Sequence, residues 1–430
     1  MEIDFEVGYF MASKLSVAQL NGAAKGTLQV NTFTVSGHVP IDNATVRISY
    51  TGNPEETIEE LKTDANGQTE DVELPAPPVE LSLDRTNIQQ PYSEYNIQII
   101  AEGFDTVVIS GAQILADTNA TQEIRLLPRE VTEGVVFAIP PHTLYGDFPP
   151  KIAEDEIKPV GEPGEIVLSR VVVPEFIVVH DGVPTDSTAQ NHYVEFKDYI
   201  KNVASSEIYP TWPEATIYAN ILAILSFTLN RVYTEWYRNQ GFNFTITSST
   251  AFDHKWMNGR NYYDSISLTV DQIFTNYLSR PNVKQPILTQ YCDGQRTTCP
   301  NWMTQWGSKD LGDQGYTAIE IIRYYYGEDM YINTAEQVSG VPASWPGSNL
   351  GIGASGDNVR QIQEQLNAVA NVYTAIPRIA VDGVFGENTG NAVRQFQSVF
   401  GLPATGIVDY RTWYKISEIF VAVTRIAELF

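Results

Sequence analysis

The stretch VASSEIYPTWPEAT, residues 203–216, places Glu207 between two segments with the periodicity of helices. Tyr209 and Trp212 follow it closely, and the surroundings are otherwise largely apolar. Burial in such surroundings disfavours the charged form of a carboxyl group and raises its pKa toward neutral pH. A carboxylic acid of raised pKa can protonate a leaving oxygen, so the segment predicts a general acid.

Both flanks of this acid have the spacing of helices. Residues 194–205 predict one helix, and Thr211 predicts the N-cap of a second, with Pro213 near its first turn. Apolar residues then recur three and four positions apart over 217–232, so one face of the second helix is expected to be core. Glu207 lies at the junction, where a turn between helices can aim its side chain into a groove.

Two stretches resemble one known family. Residues 203–216 resemble the signature of the stage II sporulation protein D family of peptidoglycan lytic transglycosylases, in which an acid in a similar context precedes a long helix. The stretch WMTQWGSKDLGDQGYTAIEIIRYYYG, 302–327, is similar to the end of the same family's sequences, with Gln305, Trp306 and Gly307 at matching positions. The family often has Gly-His-Gly before this second motif, and this chain does not.

The resemblance implies a reaction for Glu207. It would protonate the glycosidic oxygen between N-acetylmuramic acid and N-acetylglucosamine, then accept a proton from the C6 hydroxyl, which attacks C1 and leaves a 1,6-anhydromuramoyl end. One acid suffices here, whereas most glycoside hydrolases use two carboxylates, for which Asp253 or Asp264 would be the second. The candidate sugar contacts are Tyr209, Trp212, Gln305 and Trp306.

Two cysteines lie close together in YCDGQRTTCPNW, as Cys292 and Cys299. The spacing is typical of a short-loop disulfide or of two unrelated thiols. The alternative is a zinc pair, which would need two further ligands, and His254 and Asp293 are the candidates. The five histidines show no short metal-binding spacing, so a hydrolytic zinc site is poorly supported and no cofactor is predicted.

The chain upstream differs in character from the region around Glu207. Residues 26–127 contain short alternating strands separated by turns, which predicts an antiparallel β-sandwich. Residues 35–49 and 95–111 resemble the transthyretin-like or carboxypeptidase-regulatory-like sandwich, without a cluster of acids, bases or metal ligands. Residues 1–25 are interpreted as a presequence-like segment.

Residues 128–174 are interrupted by eight prolines, which is typical of a linker or of a chain that wraps another domain. The acidic patch Glu154-Asp155-Glu156 predicts surface exposure, and proteases reach such segments most easily. We therefore predict an activating cleavage between Pro128 and Pro150. The sandwich would then be a pro-domain that inhibits the Glu207 groove or assists folding.

The C-terminal stretch VDGVFGENTGNAVRQFQSVFGLPATGIVDYRTW, 381–413, follows a helical pattern at 355–369. It resembles the type 1 peptidoglycan-binding domain, a small three-helix bundle that holds cell-wall material. Phe396 and Phe400 are expected in the core of that bundle. The loop expected to shape a wall-binding groove contains Asp382, Gly383 and Phe385.

Composition excludes several classes of function. A net charge of −25 over 430 residues disfavours binding to nucleic acid, because phosphates are neutralised by clustered Lys and Arg. It equally disfavours docking onto anionic lipid, and no apolar run approaches a membrane span; the longest lies around 221–227. Neither a nucleic acid nor a membrane is therefore expected as a partner.

The order of these regions resembles the SleC-type spore cortex-lytic enzymes in their precursor form. The expected fold is multidomain α+β: the sandwich, a central mixed α/β catalytic domain at 175–347 and a three-helix domain at 348–430. The resemblance implies cortex peptidoglycan and a germination-specific activating protease as partners, and a location in the cortex or coat region of the spore. Two alternatives stay open: an N-acetylmuramoyl-L-alanine amidase, alone or bifunctional, and a non-catalytic wall-binding or amidase-enhancing protein.

Overall fold

The computed structural model describes residues 24–35, 37–129, 134–158, 168–340 and 345–424. The presequence-like segment 1–25 lies almost wholly outside these ranges. The fold mixes helices with several sheets and ends in a helical region, as expected of an α+β chain.

The N-terminal part forms two sheets that pack against each other through β1, β4 and β6. Alternation explains them: all eight positions of Ser93–Ile100 alternate between buried and partly exposed, so one face of that strand enters the core. The sheet orders are β3-β2-β5-β6 and β4-β1-β7, with β1 parallel to β7. The elements are β1 (Ala24–Thr34), β2 (Thr45–Tyr50), β3 (Asn53–Lys62), β4 (Val72–Ala76), α1 (Glu80–Leu83), β5 (Ser93–Ile100), β6 (Val107–Ile114) and β7 (Asn119–Leu126).

The central region is built around one long helix, α3, against which five other helices pack. Its elements are β8 (Val135–Ala138), β9 (Val172–Val173), β10 (Phe176–His180), β11 (Asn191–Glu195), α2 (Phe196–Glu207), α3 (Glu214–Tyr233), α4 (Trp236–Asn239), β12 (Ile246–Thr247), β13 (Tyr262–Tyr263), α5 (Asp264–Ile273), β14 (Asn276–Ser279), β15 (Tyr291–Cys292), β16 (Met303–Thr304), α6 (Gln305–Asp313), α7 (Ala318–Tyr326), β17 (Tyr331–Thr334) and β18 (Gln337–Val338). Among the described residues, the helical stretch Glu214–Asn239 has the length and mean hydropathy of a membrane span, and 89% of its apolar window is buried inside the protein, as in a core helix.

Helix boundaries around Glu207 differ from the prediction. Glu207 is the last residue of α2 rather than part of a free turn. The N-cap of α3 is Pro213, which has no side-chain oxygen to offer, so the prediction of Thr211 as N-cap is wrong. The Thr211 hydroxyl instead lies 2.8 Å from the hydroxyl of Ser82 in the sandwich. The hydroxyl group that was predicted to cap the helix therefore contacts the sandwich instead.

The sandwich and the central region share both sheets. Strand β13 pairs antiparallel with β7, and β8 pairs parallel with β6. Beside them, the Asn261 amide accepts from the N–H of Gln113 at 3.1 Å and donates to its carbonyl at 3.0 Å. Within the described part of segment 128–174, β8 packs on the sandwich through its pairing with β6.

The acidic patch at 154–156 is less exposed than predicted. Arg231, whose side chain is fully buried in α3, donates to both carboxylate oxygens of Glu154, at 3.0 and 2.6 Å. Arg280 donates to both oxygens of Glu156 at 2.8 Å. Two guanidinium groups thus hold Glu154 and Glu156 against the central region, whereas Asp155 between them is exposed as predicted.

The C-terminal helices are α8 (Asp357–Val369), α9 (Glu387–Val399) and α10 (Tyr410–Thr424). Helix α10 packs on α8 and also on α5 of the central region. Lys197 of α2 forms ion pairs with Glu418 of α10 and, at 3.2 Å, with Asp271 of α5. The three helices are therefore joined to the rest of the protein by buried charges.

Candidate active site and wall-binding module

Glu207 lies at the edge of a cavity of about 480 Å³, with only 5% of its surface exposed. This Glu207 cavity is bounded by the end of α2, by the start of α6 and by two loop segments. A volume of this size is typical of small-ligand pockets. Its lining residues are Thr143, Asp147, Phe148, Pro149, Pro150, Lys151, Glu207, Thr250, Tyr291, Cys292, Asp293, Arg296, Thr297, Thr298 and Gln305.

Both oxygens of the Glu207 carboxyl group accept hydrogen bonds. Oε1 accepts from the backbone N–H of Lys255 at 2.8 Å, and Oε2 accepts from the amide of Gln305 at 3.1 Å. The same amide also donates to the Glu207 carbonyl at 2.8 Å, which holds the end of α2 against α6. Burial raises the pKa of Glu207, while the nearby Lys151 and these donors oppose the rise. The site therefore supports both the protonated and the ionised carboxyl.

One wall of the cavity comes from residues 142–151, called the strap below. Arg296 holds it: its guanidinium donates to the carbonyls of Thr143 at 2.5 Å and Tyr145 at 2.9 Å, and also to that of Gly146. Asp293 accepts from the Arg296 Nε at 3.1 Å and so fixes the guanidinium. The strap thus covers one side of the site, held by Arg296 and by further hydrogen bonds such as those from the Thr143 N–H and hydroxyl to the Ser206 carbonyl.

That arginine lies inside a loop closed by a disulfide between Cys292 and Cys299, with a Cα–Cα distance of 6.0 Å. The first of the sequence alternatives is therefore confirmed, and the thiols are not available as zinc ligands. His254 is fully buried and lies 4.4 Å from the ring of Phe227. In the described part of the chain, no three His, Cys, Asp or Glu side chains form a group that could hold a metal ion.

Of the four candidate sugar contacts, Gln305 lines the cavity and the three rings do not. Tyr209, Trp212 and Trp306 are at most 5% exposed and pack on one another with centroids 4.9–6.2 Å apart. The indole N–H of Trp212 donates to the Ser82 carbonyl at 3.0 Å, which ties this cluster to the sandwich. The geometry gives the rings a packing role behind Glu207.

Neither candidate for a second carboxylate reaches the cavity. Asp253 is fully buried: it accepts from Arg231 at 2.7 Å, from the Tyr237 hydroxyl at 2.6 Å, and from the N–H and hydroxyl of Thr247 at 2.9 and 2.7 Å. Asp264 accepts from Asn119 of the sandwich at 3.3 Å, at the start of α5. The two aspartates stabilise the structure around the site and its junction with the sandwich.

Two residues of the cavity carried no signal in the sequence. Lys151 follows two prolines in a stretch without periodicity, and only the tertiary fold brings it beside Glu207. Tyr291 directly precedes Cys292, and no sequence pattern distinguished the tyrosine itself. Its hydroxyl is buried and has no hydrogen-bond partner among the described residues, and the ring forms part of the cavity floor.

The loop predicted to bind the wall contains Asp382, Gly383 and Phe385, and the structure leaves only the first of these three exposed. Asp382 accepts from the Gln363 amide at 2.9 Å and from the Val384 N–H at 2.8 Å, and Gly383 has a φ of +75°, which suits glycine. Phe385 is fully buried, so it is core and cannot line a groove. The exposed apolar side chains around this loop are Ile352, Val381, Val384 and Ile407.

Residues 355–416 match the family model of the peptidoglycan binding domain. The zinc D-Ala-D-Ala carboxypeptidase of Streptomyces albus G is 41% identical over 76 residues, which are 18% of this chain and 28% of that protein. The chain therefore spans about a quarter of the length of this curated relative.

Two solved structures are similar to parts of the chain. The SleB N-terminal domain is 32% identical, and the match covers 18% of this chain and 99% of that one, with a TM-score of 0.16. The minor pilin GBS52 of Streptococcus agalactiae is 12% identical over 25% of this chain and 46% of that one, with a TM-score of 0.18. At these TM-scores neither likeness bears on the fold or the activity. The family match, by contrast, is informative: residues 355–416 form a domain of the peptidoglycan-binding family.

Proposed function

We propose that this protein is a peptidoglycan lytic transglycosylase with Glu207 as its acid and base. The observation that carries the proposal is the state of Glu207: a buried carboxyl of raised pKa, held by two N–H donors at the edge of a cavity of about 480 Å³. Burial keeps such a carboxyl protonated to higher pH than a solvated one, which favours its use as a general acid. The peptidoglycan-binding domain supports the substrate class.

The proposed reaction needs no water and no second carboxylate. Glu207 in its protonated form gives its proton to the glycosidic oxygen, and the bond from that oxygen to C1 of the muramoyl residue breaks. The Glu207 carboxylate then takes the proton of the C6 hydroxyl, whose oxygen forms the new bond to C1. The Lys255 N–H, the Gln305 amide and Lys151 favour the ionised carboxyl between these two transfers.

We propose cortex peptidoglycan of the spore as substrate, a location in the cortex or coat region, and activation by a germination protease. The disulfide in the cavity wall supports a compartment outside the cytoplasm, since disulfides persist under oxidising conditions. The strap and the sandwich are the parts on which an activating cut between Pro128 and Pro150 would act; residues 130–133 of that interval lie outside the described residues.

Mass spectrometry of digested cortex tests the proposed reaction. 1,6-Anhydromuramoyl ends are expected after incubation with the protein cut between Pro128 and Pro150. Freed stem peptides would instead show an amidase, and reducing muramoyl ends would show hydrolysis. If the cut protein leaves the cortex unchanged, the protein binds the wall without cleaving it.

The exposed apolar residues of the C-terminal module lead to a prediction. The double change Ile352→Asp with Val384→Asp should weaken binding to intact sacculi by roughly tenfold or more, because both side chains lose their apolar contact with the wall. A loss of ~1.4 kcal/mol of binding free energy corresponds to a tenfold lower affinity. Cleavage of short soluble glycans should not change, since the module acts by raising the local concentration of an insoluble substrate. Pull-down on sacculi and a soluble-glycan assay separate the two effects.

Ile88→Asp is the matched control, because Ile88 is 90% exposed and belongs to the sandwich. It should bind sacculi like the wild type. If the double variant also binds normally, this face of the module does not contact the wall.

Cutting the chain should not release the sandwich. A specific protease site placed between Arg129 and Gly134 should yield two fragments that co-elute from a sizing column and separate only in denaturant. Strand β8 would remain paired with β6, and β13 with β7, although each pair would then join two chains. The salt bridge from Arg125 to Glu195, at 2.8 Å, also crosses this boundary.

The uncut variant is the control for the insertion itself. Two separate peaks under native conditions would show a detachable pro-domain. Co-elution would show that the sandwich stays bound after the cut, so that an activating cut does not act by removing it.

A further inference from the structure

Lys151 is the last residue of the strap, and it lies in the same cavity as Glu207. Its ammonium group lies 5.1 Å from the ring centroid of Phe227 and 5.2 Å from that of Tyr291, and it donates to the carbonyl of Asp253. Cation–π contacts of this kind orient an ammonium group and offset part of its loss of water. The chain therefore places a half-buried lysine in the same cavity as a buried acid.

The charges that face Glu207 come from several elements. Lys151 of the strap is the one that acts most strongly on its carboxyl group, and Lys255, after β12, acts in the same direction. The hydroxyls of Tyr199 in α2 and Tyr291 in β15 also interact with the Glu207 charge, and both stay neutral because burial raises their pKa well above the usual value. Lys151 in turn interacts with the charges of Asp253, Arg231 and Glu154.

We propose that Lys151 is a positioning residue of the site: its ammonium group, held between Phe227 and Tyr291, stabilises the ionised form of Glu207 after the proton has been given to the leaving oxygen. This rests on the proposed function of Glu207. The role needs no contact between Lys151 and the substrate.

The energetics of the lysine agree with this role. Burial lowers the pKa of Lys151 to about 8, and Glu207 is the charge that most opposes this lowering, ahead of Asp253. Each ion therefore favours the charged form of the other. The two groups are therefore linked in their titrations.

The pH dependence has a definite sign. Glu207 must be protonated to act as an acid, so the rate falls as the pH rises through its pKa. Removing the neighbouring cation raises that pKa, so in Lys151→Met the fall moves to higher pH. The maximal rate should also drop, by less than the ~10²–10⁴-fold contribution of general acid catalysis, because a carboxyl of higher pKa gives up its proton less readily.

The test uses the full chain labelled with ¹³C in its glutamate carboxyl groups. The signal that is missing in Glu207→Gln identifies Glu207, and its titration midpoint is measured without substrate. The midpoint should be higher in Lys151→Met than in the wild type and should return toward it in Lys151→Arg, which keeps the charge. Lys158→Met is the matched control, because Lys158 is buried in the adjoining segment and pairs with Glu154.

The same variants, cut between Pro128 and Pro150, are then assayed across pH. An unchanged Glu207 midpoint in a folded Lys151→Met protein, or an equal shift in Lys158→Met, overturns the role of Lys151. Full activity of Glu207→Gln overturns the proposed function instead, whatever the midpoint of Glu207 does. The two failures are thus told apart by different variants.

Discussion

Glu207→Gln should lower the formation of anhydromuramoyl ends by more than roughly 100-fold while the protein stays folded. Glutamine has nearly the shape of glutamate, and its oxygen can still accept from the backbone N–H of Lys255. The amide has no acidic proton to give to a leaving oxygen, so the first proton transfer is lost. The measurement is product mass spectrometry on cut protein, with circular dichroism and thermal unfolding to check the fold.

Asp147→Asn is the control for this experiment. Asp147 lines the same cavity but is exposed, so the same exchange of carboxylate for amide should leave most of the activity. Retained activity in a well-folded Glu207→Gln protein would remove Glu207 from its role. A loss of equal size in both variants would point to substrate binding rather than proton transfer.

Asp253→Ala should lower the free energy of unfolding by about 3–5 kcal/mol, since it leaves a fully buried arginine without one of its partners. Arg231 would retain Glu154, and the Tyr237 hydroxyl and the Thr247 groups would each lose an acceptor. Denaturant unfolding at constant pH measures the change. At temperatures where the variant is folded, cleavage should continue, because Asp253 does not line the Glu207 cavity.

Glu156→Ala is the matched control, because it also removes an acid paired with an arginine, but at a site where the glutamate side chain is 34% exposed. Exposed pairs contribute about 0–1 kcal/mol, so a small change is expected. If the two variants unfold alike, the buried network is not what holds this region. A folded Asp253→Ala protein without activity would return Asp253 to the catalytic machinery.

Local pattern was enough to predict much of this fold. Strands such as β5 alternate along their whole length, and the apolar positions of α8 recur at helical spacing, so each element could be predicted from its own residues. The burial of Glu207 was predictable because its neighbours in the sequence are largely apolar. The position of Gln305 beside it followed only from the family resemblance.

The rest depended on contacts between distant residues. Lys151 and Glu207 are far apart in sequence, and a lysine after two prolines looks like any solvated linker residue. Tyr209 and Trp212 looked like sugar-binding rings because aromatic residues serve both purposes, and only their burial against Trp306 distinguishes the two. The exposure of Glu154 was wrongly predicted because its partner, Arg231, belongs to another element.

The pairing of β13 with β7 has a consequence for synthesis on the ribosome. The residues of the sandwich are complete once β7 has emerged, yet Tyr262 and Tyr263, which pair with Thr121 and Ala120 on its outer edge, are translated roughly 7–27 s later at ~5–20 residues per second. Until then β7 presents unpaired N–H and C=O groups, which neighbouring nascent chains on one messenger could pair with. Its Glu123 and Arg125 place charges on that edge during this interval. Codon choice over the intervening stretch would therefore affect yield, since slower translation lengthens the time for which the edge is open.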